Sequence, residues 1–230
     1  MGEPKPFAPE KLVVAVLVSR PTLSIPGFRQ RLRTSLEQSF GPIDYQSEEL
    51  PFAYTHYYDE ELGTPLVRQI LSFRRLVEPT ALARLKLTTN ALEDEFRLEK
   101  ESGLRRWRPR LRRWRPRLRR WRPRLRRWRP RQVNLDPGLL SLARFILAST
   151  KDSSHRIPLA EGIFAEITLQ YRRPSYRPVP WTYPDYRSAE VLAILREIRD
   201  LLKLQIKTAG DVEPAVTEPE APPPNGLQPD

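Results

Sequence analysis

The chain has 230 residues, 39% of them hydrophobic, which is enough for one domain with a sizeable core. It contains no cysteine, which excludes disulfides and cysteine-ligated metals, and its longest apolar run, 12–18, is far shorter than the ~20 residues that span a membrane. The net charge of +12 is typical of a nucleic-acid-binding protein only if the basic residues are spread over the domain.

The first part of the chain predicts a strand, a helix and a second strand. Residues 1–10 are proline-rich and predict a loose N-terminus without a secretory signal, so we expect a cytoplasmic protein. The β-branched run 11–18 predicts a strand buried on both faces, and apolar residues spaced by four predict a helix over 27–40. Residues 43–50 predict the second strand. We expect an α/β or α+β fold, a single compact domain over 11–206 with a central mixed sheet that begins strand–helix–strand.

An aromatic and acidic loop is predicted next, over 51–63. Residues 66–77 fit either a strand or a short helix, because their apolar positions match both periods. Residues 80–96 predict a clearer helix. Beside its apolar face runs a polar stripe that we interpret as a solvated flank, with Asn90 as the one candidate ligand contact: Lys86, Asn90, Glu93 and Arg97.

The heptad Leu-Arg-Arg-Trp-Arg-Pro-Arg occurs four times without change over 104–131, and the four copies together contain 16 arginines. The rest of the chain has 24 basic and 28 acidic residues, a net charge of −4, so the domain itself is not basic. A proline in every heptad prevents a continuous helix, which predicts a disordered or extended insertion. The identity of the copies favours a recent expansion in a surface loop over an old functional arm. Either origin predicts non-specific binding of nucleic acid or anionic lipid at low salt.

Four further elements are predicted after the repeat: a short strand over 132–138 that ends in an Asp-Pro-Gly turn, a strand or helix over 141–150, an alternating strand over 163–171, and an amphipathic helix over 188–206. In the alternating strand, Glu166 and Thr168 lie on one face and Ile167 on the other. The segment 207–230 is rich in proline and acidic residues and predicts a disordered tail.

Six segments resemble a prokaryotic family, domain-of-unknown-function family 4416, and they occur at 52–58, 86–90, 133–138, 150–157, 163–169 and 181–187. The resemblance covers about 10–205 apart from the repeat, and it implies a small cytoplasmic bacterial or archaeal protein with no established activity. In this family a short loop precedes Asn-Leu-Asp-Pro-Gly, which implies that most of 104–131 is inserted. The chain departs from the family at Leu139 and Pro158, where an aromatic residue is usual, so any role of those two aromatics is in doubt here.

The residues that could support chemistry cluster around one predicted turn. The chain has no cysteine nucleophile, no Gly-x-Ser-x-Gly elbow and no Gly-x-x-x-x-Gly-Lys-Ser/Thr phosphate loop. Lys151 and Arg156 are candidate phosphate ligands, and His155 between them is a candidate general acid or base. Glu166 is a second catalytic candidate and Thr168 a further ligand contact.

The pattern favours a protein that binds a phosphorylated small molecule or a nucleotide, with Asp136 and Glu166 as possible ligands of Mg²⁺. Whether it is an enzyme stays open. One alternative is a non-enzymatic RNA-binding protein that uses its aromatic surfaces, with the repeat as a basic arm; another is a purely structural or interaction protein. For each single residue, a solvated turn or the exposed face of a strand is the competing interpretation.

Overall fold

The computed structural model describes residues 3–97 and 130–209. Its strands are β1 Glu10–Ser19, β2 Ile43–Gln46, β3 Leu50–Phe52, β4 Leu66–Val77, β5 Val133–Leu140, β6 Arg144–Ser149, β7 Ile157–Pro158, β8 Phe164–Arg172 and β9 Ser175–Pro178. Its α-helices are α1 Arg20–Leu23, α2 Phe28–Phe40, α3 Asp59–Leu62, α4 Leu82–Glu95 and α5 Ala189–Ala209, and 3₁₀ turns occupy Pro79–Ala81 and Pro184–Arg187. The predicted extended repeat, up to residue 129, and the predicted disordered tail from 210 lie outside the described residues and stay predictions. The predicted disorder of 207–209 is wrong, because these residues continue α5.

Strand β1 is buried on both faces, as its apolar sequence predicts. Leu12, Val14 and Val16 pack into one core with α2 and α4. Val13 and Ala15 pack into a second core with α5 on the opposite face. The sheet therefore lies between two helical layers, and no described helix is long and apolar enough to cross a membrane.

All the strand pairs among the described residues are antiparallel, so the predicted mixed sheet is wrong. The strand order is β2-β4-β1-β5-β6-β8-β7, with β3 paired to β4 and β9 paired to β8. A strand that is apolar throughout shows that both faces of its sheet are covered; it does not report strand direction. Coverage of both faces is common in parallel sheets, and here α5 supplies it for an antiparallel one.

The segment from β1 to β5 explains the predicted strand–helix–strand start. Strands β1 and β2 run in the same direction, but β4 is inserted between them and is antiparallel to both. Together with α2 and α4 on one face, the order β2-β4-β1-β5 is that of the split β-α-β, or ferredoxin-like, motif. Strands β6 to β9 extend this sheet beyond β5, and α5 covers the other face.

Several local predictions need correction. The ambiguous segments 66–77 and 141–150 both contain strands, β4 and β6, and the predicted second strand is divided into β2 and β3. In β8 the alternation is interrupted, because the register with β6 shifts between Ile167 and Leu169. Thr168 is therefore fully buried at the irregularity rather than on a solvated face.

Candidate functional site

The site lies where β5 and β6 separate. The two strands pair only through Gly138–Leu140, although β5 begins at Val133 and β6 continues to Ser149. The predicted Asp-Pro-Gly turn is wrong, because these residues lie inside β5. Pro137 has no N–H to donate to β6, and the ladder stops there. At Gly138 an added Cβ would lie 2.7 Å from the Ile146 carbonyl oxygen and from the Phe145 ring, so only glycine permits this approach.

Helix α4 satisfies the backbone that this separation exposes. Leu135 directs its N–H and C=O away from β1, toward the side where β6 would otherwise pair. The Leu135 N–H donates to Glu93 Oε1 at 2.6 Å, and Lys86 Nζ donates to the Leu135 carbonyl oxygen at 3.0 Å. Lys86 and Glu93 are both buried. The polar stripe that we interpreted as a solvated flank thus closes one wall of a cavity.

Arg131, the last residue of the fourth heptad, belongs to the folded domain. Its guanidinium donates to both Glu61 oxygens, at 2.8 and 2.7 Å, and also contacts Glu93. It donates further to Asn134 Oδ1 at 3.2 Å. An isolated β-bridge joins Arg131 to Arg97, and both residues line the cavity.

Arg68, which is buried, projects from β4. Its guanidinium is paired with Asp185, lies 3.9 Å from Asp136 and lies over the rings of Phe52 and Tyr186, at 4.8 and 5.3 Å. Burial raises the pKa of the Asp185 carboxyl, and the Arg68 charge opposes that rise. Burial also raises the pKa of Tyr186 well above its usual value, which keeps its hydroxyl protonated and able to donate.

Glu166 is the centre of the predicted turn cluster. Arg156 Nε donates to Glu166 Oε2 at 2.8 Å, and His155 Nε2 lies 3.1 Å from the same oxygen. Arg156 also donates to the Lys151 carbonyl oxygen and to the Tyr183 hydroxyl. The Glu166 side chain is only 2% exposed, so the interpretation of this strand face as solvated is wrong.

These groups surround a cavity of about 680 Å³, within the range of small-molecule sites. Its aromatic lining comes chiefly from the 51–63 loop and the segment 183–186: Phe52, Tyr54, Tyr57, Tyr58, Tyr183 and Tyr186. The charged side chains in its wall are Arg68, Lys86, Glu93, Asp94, Arg97, Arg131, Asp136, Lys151, Arg156, Glu166 and Asp185. The wall therefore mixes six basic side chains with five carboxylates.

Three polar atoms in this wall have no hydrogen-bond partner among residues 3–97 and 130–209. Among the described residues, four buried side-chain atoms have no hydrogen-bond partner, and three of them are Arg68 Nε, Glu166 Oε1 and Tyr186 Oη. All three side chains line the cavity, and each residue is at most 4% exposed. Buried polar atoms are normally paired, because each unpaired one costs about 1–3 kcal/mol. Their concentration in one cavity indicates a place for a polar ligand.

The structure brings together most of the predicted site residues. Lys151, Arg156, Asn90, Asp136 and Glu166 all line the cavity, although they come from several separate stretches of the chain. Lys151 Nζ lies 4.6 Å from the centre of the Tyr57 ring and forms no salt bridge with a described carboxylate.

His155 and Thr168 are not among the lining residues. His155 stacks on Trp181 with ring centroids 5.2 Å apart, and its Nδ1 lies 3.0 Å from Ser153 Oγ. These contacts hold the imidazole against Glu166 without making it a lining residue of the cavity. The carbonyl oxygen of the buried Thr168 accepts from the Thr182 hydroxyl at 2.5 Å. The predicted catalytic role of His155 and ligand contact of Thr168 stay predictions, and neither has direct access to the cavity.

The predicted metal ligands are engaged with other groups. Asp136 accepts from Asn134 Nδ2 at 2.8 Å and lies 3.5 Å from Lys86 Nζ, while Glu166 is held by Arg156. In the part of the chain that the structure describes, no three His, Cys, Asp or Glu side chains are grouped to hold a metal ion. The assignment of Asp136 and Glu166 as ligands of Mg²⁺ therefore rests on two carboxylates alone and stays a prediction.

The sequence reasoning missed several charged residues of the cavity wall. Arg68 and Asp185 received no site role, and Arg131 was assigned to the repeat. Arg68 lies between two apolar pairs, Leu66-Val67 and Ile70-Leu71. This is the signal that could have identified it, because an unpaired charge among buried apolar residues would be too costly.

A comparison of the sequence with protein families agrees with the resemblance noted above. A family described as "Domain of unknown function (DUF4416)" matches residues 8–201. The chain belongs to this family. The match spans both described parts of the chain and the repeat between them, and the family description assigns no activity. No curated protein and no solved structure matches the chain.

Proposed function

We propose that this DUF4416 domain binds a small phosphorylated molecule, such as a nucleotide or a sugar phosphate, in the cavity between β5 and β6. The observation that supports this most directly is the set of three buried, unpaired polar atoms in the wall. A closed structural core would pair them, whereas a polar ligand supplies the missing partners.

The cations in the wall favour an anionic group on the ligand. Lys151 forms no salt bridge with a described carboxylate, and the Arg68 guanidinium has its Nε free to donate. Lysine and arginine are the side chains that bind phosphate oxygens most often. The Lys151 ammonium lies at the tyrosine loop, so a phosphate here would sit beside aromatic rings that can pack against the rest of the ligand.

A thermal-shift screen tests the proposal, because a ligand that binds only the folded protein raises its melting temperature. The panel contains adenosine and guanosine monophosphates, ribose 5-phosphate, glucose 6-phosphate, pyrophosphate and inorganic phosphate, each with and without Mg²⁺. We expect at least one organic phosphate to stabilise the protein. Dependence of the shift on Mg²⁺ would support the predicted roles of Asp136 and Glu166.

The matched variants are Lys151→Gln and Lys203→Gln. Lys203 is on α5, paired with Asp200 and outside the cavity. We expect Lys151→Gln to lose the ligand-induced shift and Lys203→Gln to keep it. No shift with any compound, together with salt-sensitive RNA binding by a protein without residues 104–124, would reject this proposal and favour the RNA-binding alternative.

A further inference from the structure

We propose that Glu166 selects the ligand of this cavity by accepting a hydrogen bond from a hydroxyl or amino group on its non-phosphate part. The inference rests on the proposed function and specifies its ligand: a phosphorylated sugar or a nucleotide, not a bare phosphate. Glu166 would then be a specificity-determining residue.

The two oxygens of Glu166 are in different situations. Oε2 is bonded by Arg156 and contacted by His155, and these two groups fix the orientation of the carboxylate. Oε1 is buried at the cavity wall without a donor from any described residue. A buried carboxylate oxygen is an acceptor only, so the ligand group that completes it must carry N–H or O–H. A phosphate oxygen cannot fill this role unless it is protonated.

The backbone next to Glu166 adds complementary groups. Glu166 is opposite Leu147 in the β6–β8 ladder, and Ile146 is opposite Leu139 in the β5–β6 ladder. Backbone groups alternate in direction along a strand, so Ala148 directs its N–H and C=O to the same side as Ile146. Strand β5 does not pair with Ala148, which lines the cavity. A ligand edge carrying both donors and acceptors fits this place.

The opposite requirement occurs at Arg68, whose free Nε needs an acceptor. Arg68 is on β4 and Glu166 on β8, and strands β1, β5 and β6 lie between them in the sheet. Both side chains reach into the same cavity. An acceptor group of the ligand at the Arg68 end and a hydroxyl or amino group at the Glu166 end describe one extended ligand.

The test compares Glu166→Gln with Glu10→Gln by titration calorimetry, using the organic phosphate found in the screen and inorganic pyrophosphate. The amide that Glu166→Gln introduces can still accept from Arg156 through its oxygen, but it turns an N–H toward the ligand donor. Glu10 is the matched control, since it is also buried, paired with Arg144 and left with one unpaired oxygen, but lies outside the cavity.

We expect Glu166→Gln to weaken binding of the organic phosphate about tenfold or more, to leave pyrophosphate binding unchanged, and Glu10→Gln to change neither. Equal loss for both ligands would mean that Glu166 only maintains the cavity, and an unchanged affinity for the organic phosphate would mean that it makes no contact. Either result overturns this inference and leaves the proposed function standing. Failure of every organic phosphate to bind the wild-type protein overturns both.

Discussion

Two buried polar clusters occupy the same sheet, and one is complete whereas the other is not. At the edge near β2, Lys11 is fully buried and donates to Asp44 at 2.6 Å, to the Phe73 carbonyl at 3.0 Å and to Gln205 at 2.6 Å. An ammonium has three N–H groups, so each has a partner. In the cavity, Arg68, Glu166 and Tyr186 each retain an unpaired atom.

The difference separates a structural polar cluster from a candidate site. The Lys11 cluster ties β1, β2, β4 and α5 together, and the second oxygen of Asp44 is used by Ser72 at 2.7 Å. This cluster is complete without a ligand. In the cavity, Arg68 is paired with Asp185 and Glu166 with Arg156, but an unpaired donor and an unpaired acceptor remain at the wall, which a polar ligand can complete.

The largest expected effect is in the complete cluster. Lys11→Met leaves Asp44 and the Phe73 carbonyl without their donor, and we expect the free energy of unfolding in urea to fall by about 3–5 kcal/mol. Lys203→Met, which removes an exposed lysine from α5, is the control and should change it by less than about 0.5 kcal/mol. Loss of ligand binding by folded Lys11→Met protein would contradict a purely structural role.

A pair of tyrosines sharpens the comparison. The Tyr176 hydroxyl donates to the Ser141 carbonyl at 2.7 Å, whereas the Tyr186 hydroxyl has no described partner, and both residues are buried. We expect Tyr176→Phe to destabilise the protein by about 1 kcal/mol. Tyr186→Phe should leave its stability unchanged or raise it by up to about 1 kcal/mol, and should weaken ligand binding. Equal destabilisation in urea titrations would show that Tyr186 has a structural partner.

Glu61 and Glu93 both pair with Arg131, but their contributions to the stability of the fold depend on pH in opposite ways. The hydrogen bond from Arg131 lowers the pKa of Glu61, so its stabilising contribution is complete above the unfolded value of about 4.3 and is lost as the pH falls through the folded pKa. Burial raises the pKa of Glu93, so the folded state holds that proton more tightly. Stability from Glu93 is complete below about 4.3 and is lost as the pH rises through its folded pKa.

Urea titrations between about pH 3 and 8 should therefore show that the free energies of unfolding of Glu61→Gln and Glu93→Gln, each relative to wild type, change with pH in opposite directions. Relative to wild type, Glu61→Gln should become less stable as the pH rises toward about 4.3 and then keep a constant deficit. Glu93→Gln should gain relative to wild type as the pH rises above about 4.3. Parallel pH curves for the two variants would show that burial does not distinguish these carboxylates.

The sequence predicted the elements better than their arrangement. The periodicity of apolar residues identified β1, α2, α4 and α5, because each helix buries one face in one of the two cores and β1 contributes to both. It could not predict the antiparallel order, since that depends on where β4 inserts. The turn predicted at Asp-Pro-Gly was wrong for a related reason. Turn propensity is a local property, whereas Pro137 and Gly138 lie at the point where β5 separates from β6, which depends on the neighbouring strand.

The site was predicted in part because its chemistry is concentrated at one turn. Lys151, Arg156 and Glu166 lie close in sequence, and the hairpin-like pairing of β6 with β8 brings them to one wall. Arg68 and Asp185 come from distant segments and meet only through tertiary packing. The apolar neighbours of Arg68 indicate that it needs a partner, but no local pattern identifies Asp185 as that partner.

The smallest expected effect on stability is that of deleting residues 104–124, which removes three heptads and keeps the fourth with Arg131. Loop closure depends weakly on loop length, so the free energy of unfolding should change by less than about 1 kcal/mol, and the ligand-induced shift should persist. Salt-sensitive binding to RNA should be lost, because twelve of the sixteen repeat arginines are gone. Arg131→Met is the contrast: it leaves Glu93 buried without its guanidinium and should destabilise the fold more than the whole deletion does. If the deletion instead costs as much as Arg131→Met, then further repeat arginines belong to the folded domain as Arg131 does, and the charge of the repeat cannot be separated from that of the cavity.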